Sequence, residues 1–205
     1  MLDLSGIKTL IFDLGGVIVN LDLTLTVNAF EKLGIEDPGQ FIKHGVHSDI
    51  FLKLETGEIT EEKFYSGIRK LAGKNITNEE IKTAWCAMFT ELPDVRVKLI
   101  EHLKKTHRVV LLSNTNSIHR SHFDSMARGY NSLSELFHKA YYSFLLHDHK
   151  PNLSIFKKVL ELEDIRPEET LFIDDAQKNI AAARETGMHT MLITSDRQME
   201  DVFML

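Results

Sequence analysis

Thr9-Leu10-Ile11-Phe12 is an apolar, β-prone run that stops on Asp13 and is followed by Leu14-Gly15-Gly16-Val17. Without polar alternation, so short a run predicts a strand buried on both faces, as in parallel sheets. Val109-Val110-Leu111-Leu112, Leu171-Phe172-Ile173 and Thr190-Met191-Leu192-Ile193 have the same character, and Ala140-Tyr141-Tyr142-Ser143 is a weaker candidate. Helical patterns lie between them. Leu99, Ile100 and Leu103 precede the second run, and Ile155, Phe156, Val159 and Leu160 precede the third. Strands alternating with helices predict an α/β fold, a parallel sheet flanked by helices.

The stretch from about residue 19 to 91 breaks this alternation, because it is long and contains no convincing strand. Ile81, Trp85 and Phe89 recur every four residues there, and Phe64, Ile68 and Leu71 share one helical face. It reads as an inserted all-helical cap, residues 19–91, on a core formed by residues 1–18 and 92–205. The 205 residues, 43% of them apolar, suffice for one domain with such an insertion.

A net charge of -6, with Lys104 to Arg108 as the densest basic stretch, argues against a nucleic-acid or anionic-membrane partner. The single Cys86 excludes an internal disulfide, and no apolar run approaches the roughly 20 residues of a membrane span. No basic segment followed by an apolar one opens the chain, so a cytoplasmic monomer or homodimer is expected.

Polar residues stand where the apolar runs end: Asp13, then Ser113, then Asp174 with Asp175. In open parallel sheets the carboxyl ends of the strands form the ligand crevice, so these residues converge. Lys150 could join them from the loop after the weaker strand. Three gathered carboxylates repel one another and call for a cation, and an all-oxygen set suits Mg²⁺. A lysine ammonium and a serine hydroxyl suit phosphoryl oxygens, while Gly15 and Gly16 open backbone amides to close approach. One carboxylate is then free to attack phosphorus.

Phe12-Asp13-Leu14-Gly15-Gly16-Val17, Leu112-Ser113-Asn114-Thr115-Asn116, His149-Lys150-Pro151 and Phe172-Ile173-Asp174-Asp175 resemble, in order, the four motifs of the haloacid dehalogenase superfamily. With Glu55-Thr56-Gly57-Glu58-Ile59 in the cap, the chain is most similar to the branch holding bacterial sugar-phosphate (glucose-1-phosphate type) phosphatases and the phosphatase domain of soluble epoxide hydrolases. The resemblance implies a Rossmann-like core and a Mg²⁺-dependent phosphatase acting on a small phosphorylated metabolite. It implies Asp13 as nucleophile and metal ligand, the Gly15 carbonyl, Asp174 and Asp175 at the metal, and Ser113, Lys150 and the Asn114 amide at the phosphoryl oxygens. Lys150 thereby counts among the catalytic residues.

One position departs from the usual pattern. Two residues after the nucleophile, where an aspartate normally protonates the leaving oxygen, stands Gly15. General acid–base help is worth about 10²–10⁴-fold, so either another group supplies it, with Asp22 and His119 as candidates, or the chain is a phosphate-binding pseudophosphatase. A dehalogenase has no use for Asp174-Asp175, and a phosphomutase needs the acid that Gly15 lacks. His147-Asp148-His149 reads as a solvated loop rather than a zinc site. Cys86 and Trp85 read as core, His119 and Arg120 as site lining or a solvated helix start, and Glu55 and Gly57 as a cap turn without a catalytic role.

Overall fold

A computed structural model describes residues 4–39 and 50–203. Five parallel strands form one sheet: β1 (Thr9–Phe12), β4 (Arg108–Ser113), β5 (Lys139–Tyr142), β6 (Thr170–Asp174) and β7 (His189–Leu192), in the order β5-β4-β1-β6-β7. β1 lies at its centre, with Phe12 in register with Leu111 of β4 and Ile173 of β6. Successive residues of β1 face opposite layers, as the strand period requires. Leu10 and Phe12 pack with Leu99 and Ile100 of α5 (Asp94–Leu103), and Ile11 packs with Phe156 and Val159 of α8 (Leu153–Glu163) and Ile180 of α9 (Gln177–Glu185). Both layers are buried, which is why the run carries no polar alternation.

Between β1 and β4 lie α1 (Leu23–Lys32), α2 (Ile50–Glu55), α3 (Glu61–Ala72) and α4 (Asn78–Cys86), which bury a second core around Phe30, Phe64, Ile68, Ile81 and Trp85. Local chemistry fixes their ends. Thr77 and Glu80 form a reciprocal capping box on α4, and Gly73 closes α3 in the left-handed conformation.

The inserted segment is not wholly helical. Asn20–Leu21 (β2) pairs antiparallel with Phe89–Glu91 (β3), joining its entry to its exit. Strands this short present no periodicity to read. Phe89 therefore belongs to β3 and not to the helical face of Ile81 and Trp85, since α4 ends at Cys86. Leu71 is exposed, and Ala72 takes the buried place beside Phe64 and Ile68. The sheet continues into α6 (Ser117–Phe123) after β4, α7 (Ser143–Leu146) after β5 and α10 (Met199–Phe203) after β7. Among the described residues no helix is long and apolar enough to cross a membrane.

Candidate active site

Because β1 pairs with both β4 and β6, the residues at their carboxyl ends meet. Asp13 directly follows β1, Ser113 closes β4, and Asp174 closes β6 with Asp175 next. Lys150 arrives from the loop beyond α7, one helical turn later than a loop running straight on from β5. Its ammonium lies 2.7 Å from Asp13 Oδ1 and 2.7 Å from Asp174 Oδ2, with the lysine side chain 1% exposed. Asp174 is wholly buried and accepts further hydrogen bonds from the Ala176 amide at 2.8 Å and from Asn179 Nδ2 at 3.0 Å. Asn179 gives no signal in sequence, being one polar residue on an amphipathic helix.

Carboxylate oxygens of Asp13, Asp174 and Asp175 lie within 4.8 Å of one another. Burial drives the Asp13 pKa up to about 7; Lys150 opposes this and the charge of Asp174 adds to it. Asp175 is also raised, by loss of water and then by Asp174. Burial disfavours the Lys150 ammonium, yet Asp13 and Asp174 outweigh it and hold its pKa above the ordinary lysine value. One ammonium thus serves three acids, and the remaining repulsion is what a hard divalent cation relieves. The donor set fits Mg²⁺.

The glycines after Asp13 do different work. Gly16 has φ of +73°, and a Cβ there would stand 2.2 Å from Asp175 Oδ2, so only glycine lets that carboxylate close on the site. At Gly15 a Cβ would meet Leu21 Cδ1 at 2.4 Å: a leucine fills the room beside the position of the absent aspartate.

Both sequence candidates for the role of that aspartate are engaged with other partners. Asp22 caps α1, and its carboxylate accepts from the Thr24 hydroxyl at 2.6 Å and amide at 2.9 Å, bonds that lower its pKa. His119 is buried, not a solvated helix start; its Nε2 lies 3.1 Å from the Trp85 carbonyl and its Nδ1 3.2 Å from Asn116 Nδ2. Burial pushes its pKa down to about 3, so the imidazole is neutral with both nitrogens engaged. Arg120 pairs with Asp124 and lies over the Tyr142 ring. The histidines of the 147–149 loop are engaged, His147 Nδ1 with the Thr56 carbonyl of the inserted segment and His149 Nδ1 with the Lys150 carbonyl. Cys86 is buried, its thiol pushed up to about 12, as befits a core residue.

A cavity of about 180 Å³ adjoins the cluster. Gly15, Ser113 and Asn114 form its core side, and Glu55, Trp85 and Met88 line it from the inserted segment. Trp85 is therefore both core and wall. Enclosure raises the pKa of Glu55 to about 7, with Lys178 as the opposing charge.

Residues 7–187 match the model of a family described as haloacid dehalogenase-like hydrolase. The chain is 35% identical over 189 residues to D-ribitol-5-phosphate phosphatase of Bacteroides thetaiotaomicron, covering 90% of each chain. It is also similar to a crystal structure of a haloacid dehalogenase family enzyme from Bacteroides thetaiotaomicron, with a TM-score of 0.90 and 35% identity, covering 98% of this chain and 100% of that one. The wild-type form of that enzyme in complex with magnesium and inorganic phosphate gives a TM-score of 0.87 and 36% identity, over 96% and 99% of the two chains.

Proposed function

This chain belongs to the haloacid dehalogenase-like hydrolases and is a magnesium-dependent phosphatase, and from that premise we propose that its substrate is a small sugar or polyol phosphate of the D-ribitol 5-phosphate kind. The observation that carries this reading is the buried Lys150 Nζ, 2.7 Å from both Asp13 and Asp174, beside a small cavity lined by the neighbouring Gly15, Ser113 and Asn114. Asp13 is the nucleophile, its Oδ forming the bond to phosphorus while the ester oxygen leaves. Asp13, the Gly15 carbonyl, Asp174 and Asp175 are the groups that would hold Mg²⁺, which when bound would neutralise charge on the phosphoryl group. Lys150 and Ser113 bind the non-bridging oxygens. The Asn114 side chain is engaged with Lys150, so its backbone N–H is the group offered to phosphate.

Residues 19–91 act as the cap over this site, and their wall residues select the leaving group. A cytoplasmic enzyme, monomeric or homodimeric, without a nucleic-acid or membrane partner is part of the same proposal, and the net charge of -6 supports it by disfavouring anionic surfaces. A binding-only role is not supported, because the nucleophile, its lysine and the acidic pair are all in place and the similar enzyme turns over a phosphoester. The test is hydrolysis of D-ribitol 5-phosphate and a panel of pentose and hexose phosphates with and without Mg²⁺, with Asp13→Asn as blank. Equal rates for the blank, or undiminished turnover in excess chelator, refute the assignment.

A further inference from the structure

We propose that Glu55 of the inserted segment is the general acid and base of this phosphatase, acting across the cavity from the position where Gly15 leaves the core without a carboxyl group. The inference rests on the phosphatase reading and adds the residue that Gly15 makes necessary.

Glu55 closes α2 and lines the cavity that Gly15, Ser113 and Asn114 border from the core. Its backbone is tied to that core. Ser143 Oγ, fully buried, accepts the Thr115 amide at 2.9 Å and stands 2.6 Å from the Glu55 carbonyl, so one hydroxyl couples Glu55 to the loop that follows Ser113. The next carbonyl, of Thr56, meets His147 Nδ1 at 3.0 Å. Gly57 then turns at φ of +70°, where a Cβ would stand 2.3 Å from the Phe144 carbonyl, so glycine lets the turn lie flat on α7. These contacts fix the backbone of Glu55 and Thr56 against the core, so that Glu55 lines the cavity beside Gly15, Ser113 and Asn114 from a tied turn instead of a free loop.

The carboxyl itself is uncommitted. Among the described residues no hydrogen-bond donor engages its oxygens, in contrast to Asp22 with Thr24 and Asp174 with Asn179. Lys178 from α9 is the charge that acts on it, the neutral His119 shares the cavity lining, and the His147 ring is bound to the neighbouring Thr56 carbonyl. Enclosure raises its pKa to about 7, the range in which one carboxyl group can both give and take a proton near neutrality.

The proton balance is simple. As Asp13 Oδ bonds to phosphorus and the phosphorus–ester oxygen bond breaks, the Glu55 carboxylic acid protonates the departing oxygen, leaving aspartyl-phosphate, a free alcohol and a Glu55 carboxylate. That carboxylate then takes a proton from water attacking phosphorus. The phosphorus–Asp13 bond breaks, giving inorganic phosphate, an Asp13 carboxylate and the Glu55 acid again.

The test compares kcat/KM for an alkyl phosphate and for 4-nitrophenyl phosphate, whose leaving group needs no proton, in wild type, Glu55→Gln and Glu55→Asp, with Mg²⁺ saturating and folding checked by thermal unfolding. Glu55→Gln is expected to lose about 100-fold or more on the alkyl ester and less than about tenfold on the aryl ester. It should also lose the fall in alkyl kcat/KM above neutral pH that ionisation of Glu55 imposes on the wild type, and Glu55→Asp should keep part of the alkyl rate. Equal losses on both esters, or an alkyl rate within about threefold of wild type, overturn the role. A wild type inactive on both esters would remove the phosphatase reading itself, which the Glu55→Gln comparison alone does not touch.

Discussion

The Asn114 side-chain amide grips the backbone of Lys150 at both ends, donating from Nδ2 to its carbonyl at 2.8 Å and accepting its N–H on Oδ1 at 2.9 Å. The residue after β4 thereby sets the position of the lysine that reaches Asp13. Asn114→Ala leaves the Lys150 N–H unpaired and its carbonyl with His149 Nδ1 alone, at a cost of about 1–3 kcal/mol for the N–H when no water replaces the partner. The expected outcome is a lower urea midpoint together with weaker inhibition by inorganic phosphate, by about tenfold, equivalent to about 1.4 kcal/mol. Lost stability with unchanged phosphate affinity would show that Lys150 keeps its place without Asn114.

Gly16 and Asp175 give a sharper test of the metal site. Gly16→Ala introduces a Cβ 2.2 Å from Asp175 Oδ2 at φ of +73°, whereas Gly73→Ala, at φ of +59°, meets nothing within 4 Å. Both variants carry left-handed strain of about 1–2 kcal/mol, but only the first displaces a carboxylate. Gly16→Ala should raise the Mg²⁺ concentration for half-maximal activity by about tenfold or more, and Gly73→Ala should leave it unchanged while lowering Tm. A similar Mg²⁺ requirement in the two variants would detach Asp175 from the metal.

The raised pKa of Asp13 makes a prediction about pH and Mg²⁺. A carboxyl group whose pKa rises from 3.8 to about 7 on folding binds more protons in the native state across that window. Native stability without metal therefore falls as pH rises through the window, and its cost is fully present above about 7. Mg²⁺ favours the anion and removes that cost. The increase in Tm on adding Mg²⁺ should grow from pH 5 to pH 8, and Asp13→Asn should flatten the trend. A metal-induced shift that is constant with pH would contradict this linkage.

The legibility of the chain follows from how local each signal is. β1, β4 and β6 announce themselves because burial on both faces leaves unbroken apolar runs, and Asp13, Ser113 and Asp174 follow at their ends; β7 shows an apolar run although, at the sheet's edge, only Met191 of it is buried. β2 and β3 are too short to carry a period and exist through pairing across nearly the whole insertion. Phe89 continues the spacing of Ile81 and Trp85 although the helix has ended, and Leu71 keeps helical phase while facing solvent. Glu55 illustrates the deeper limit. Its sequence neighbours mark a turn, and what makes it notable is Ser143, 88 positions away, holding that turn against the site.

The last prediction concerns Gly15 and Leu21. An aspartate at position 15 needs the space now taken by the Leu21 Cδ1 atom, 2.4 Å from where its Cβ would stand, and Leu21 is exposed enough to be trimmed. In the wild type, with Glu55 acting as the acid, Gly15→Asp combined with Leu21→Ala should change the alkyl-ester rate little. In the Glu55→Gln background the same pair should recover about tenfold or more of the lost rate, because the restored carboxyl group stands two residues from the nucleophile and can protonate the leaving oxygen. The aryl ester, needing no proton, should show no such recovery. The measurement is kcat/KM for both esters in the four combinations, read as a coupling between the two sites. Recovery as large in the wild type as in Glu55→Gln would mean that Glu55 and the restored aspartate act independently, and that no acid stood in for the one that Gly15 lacks.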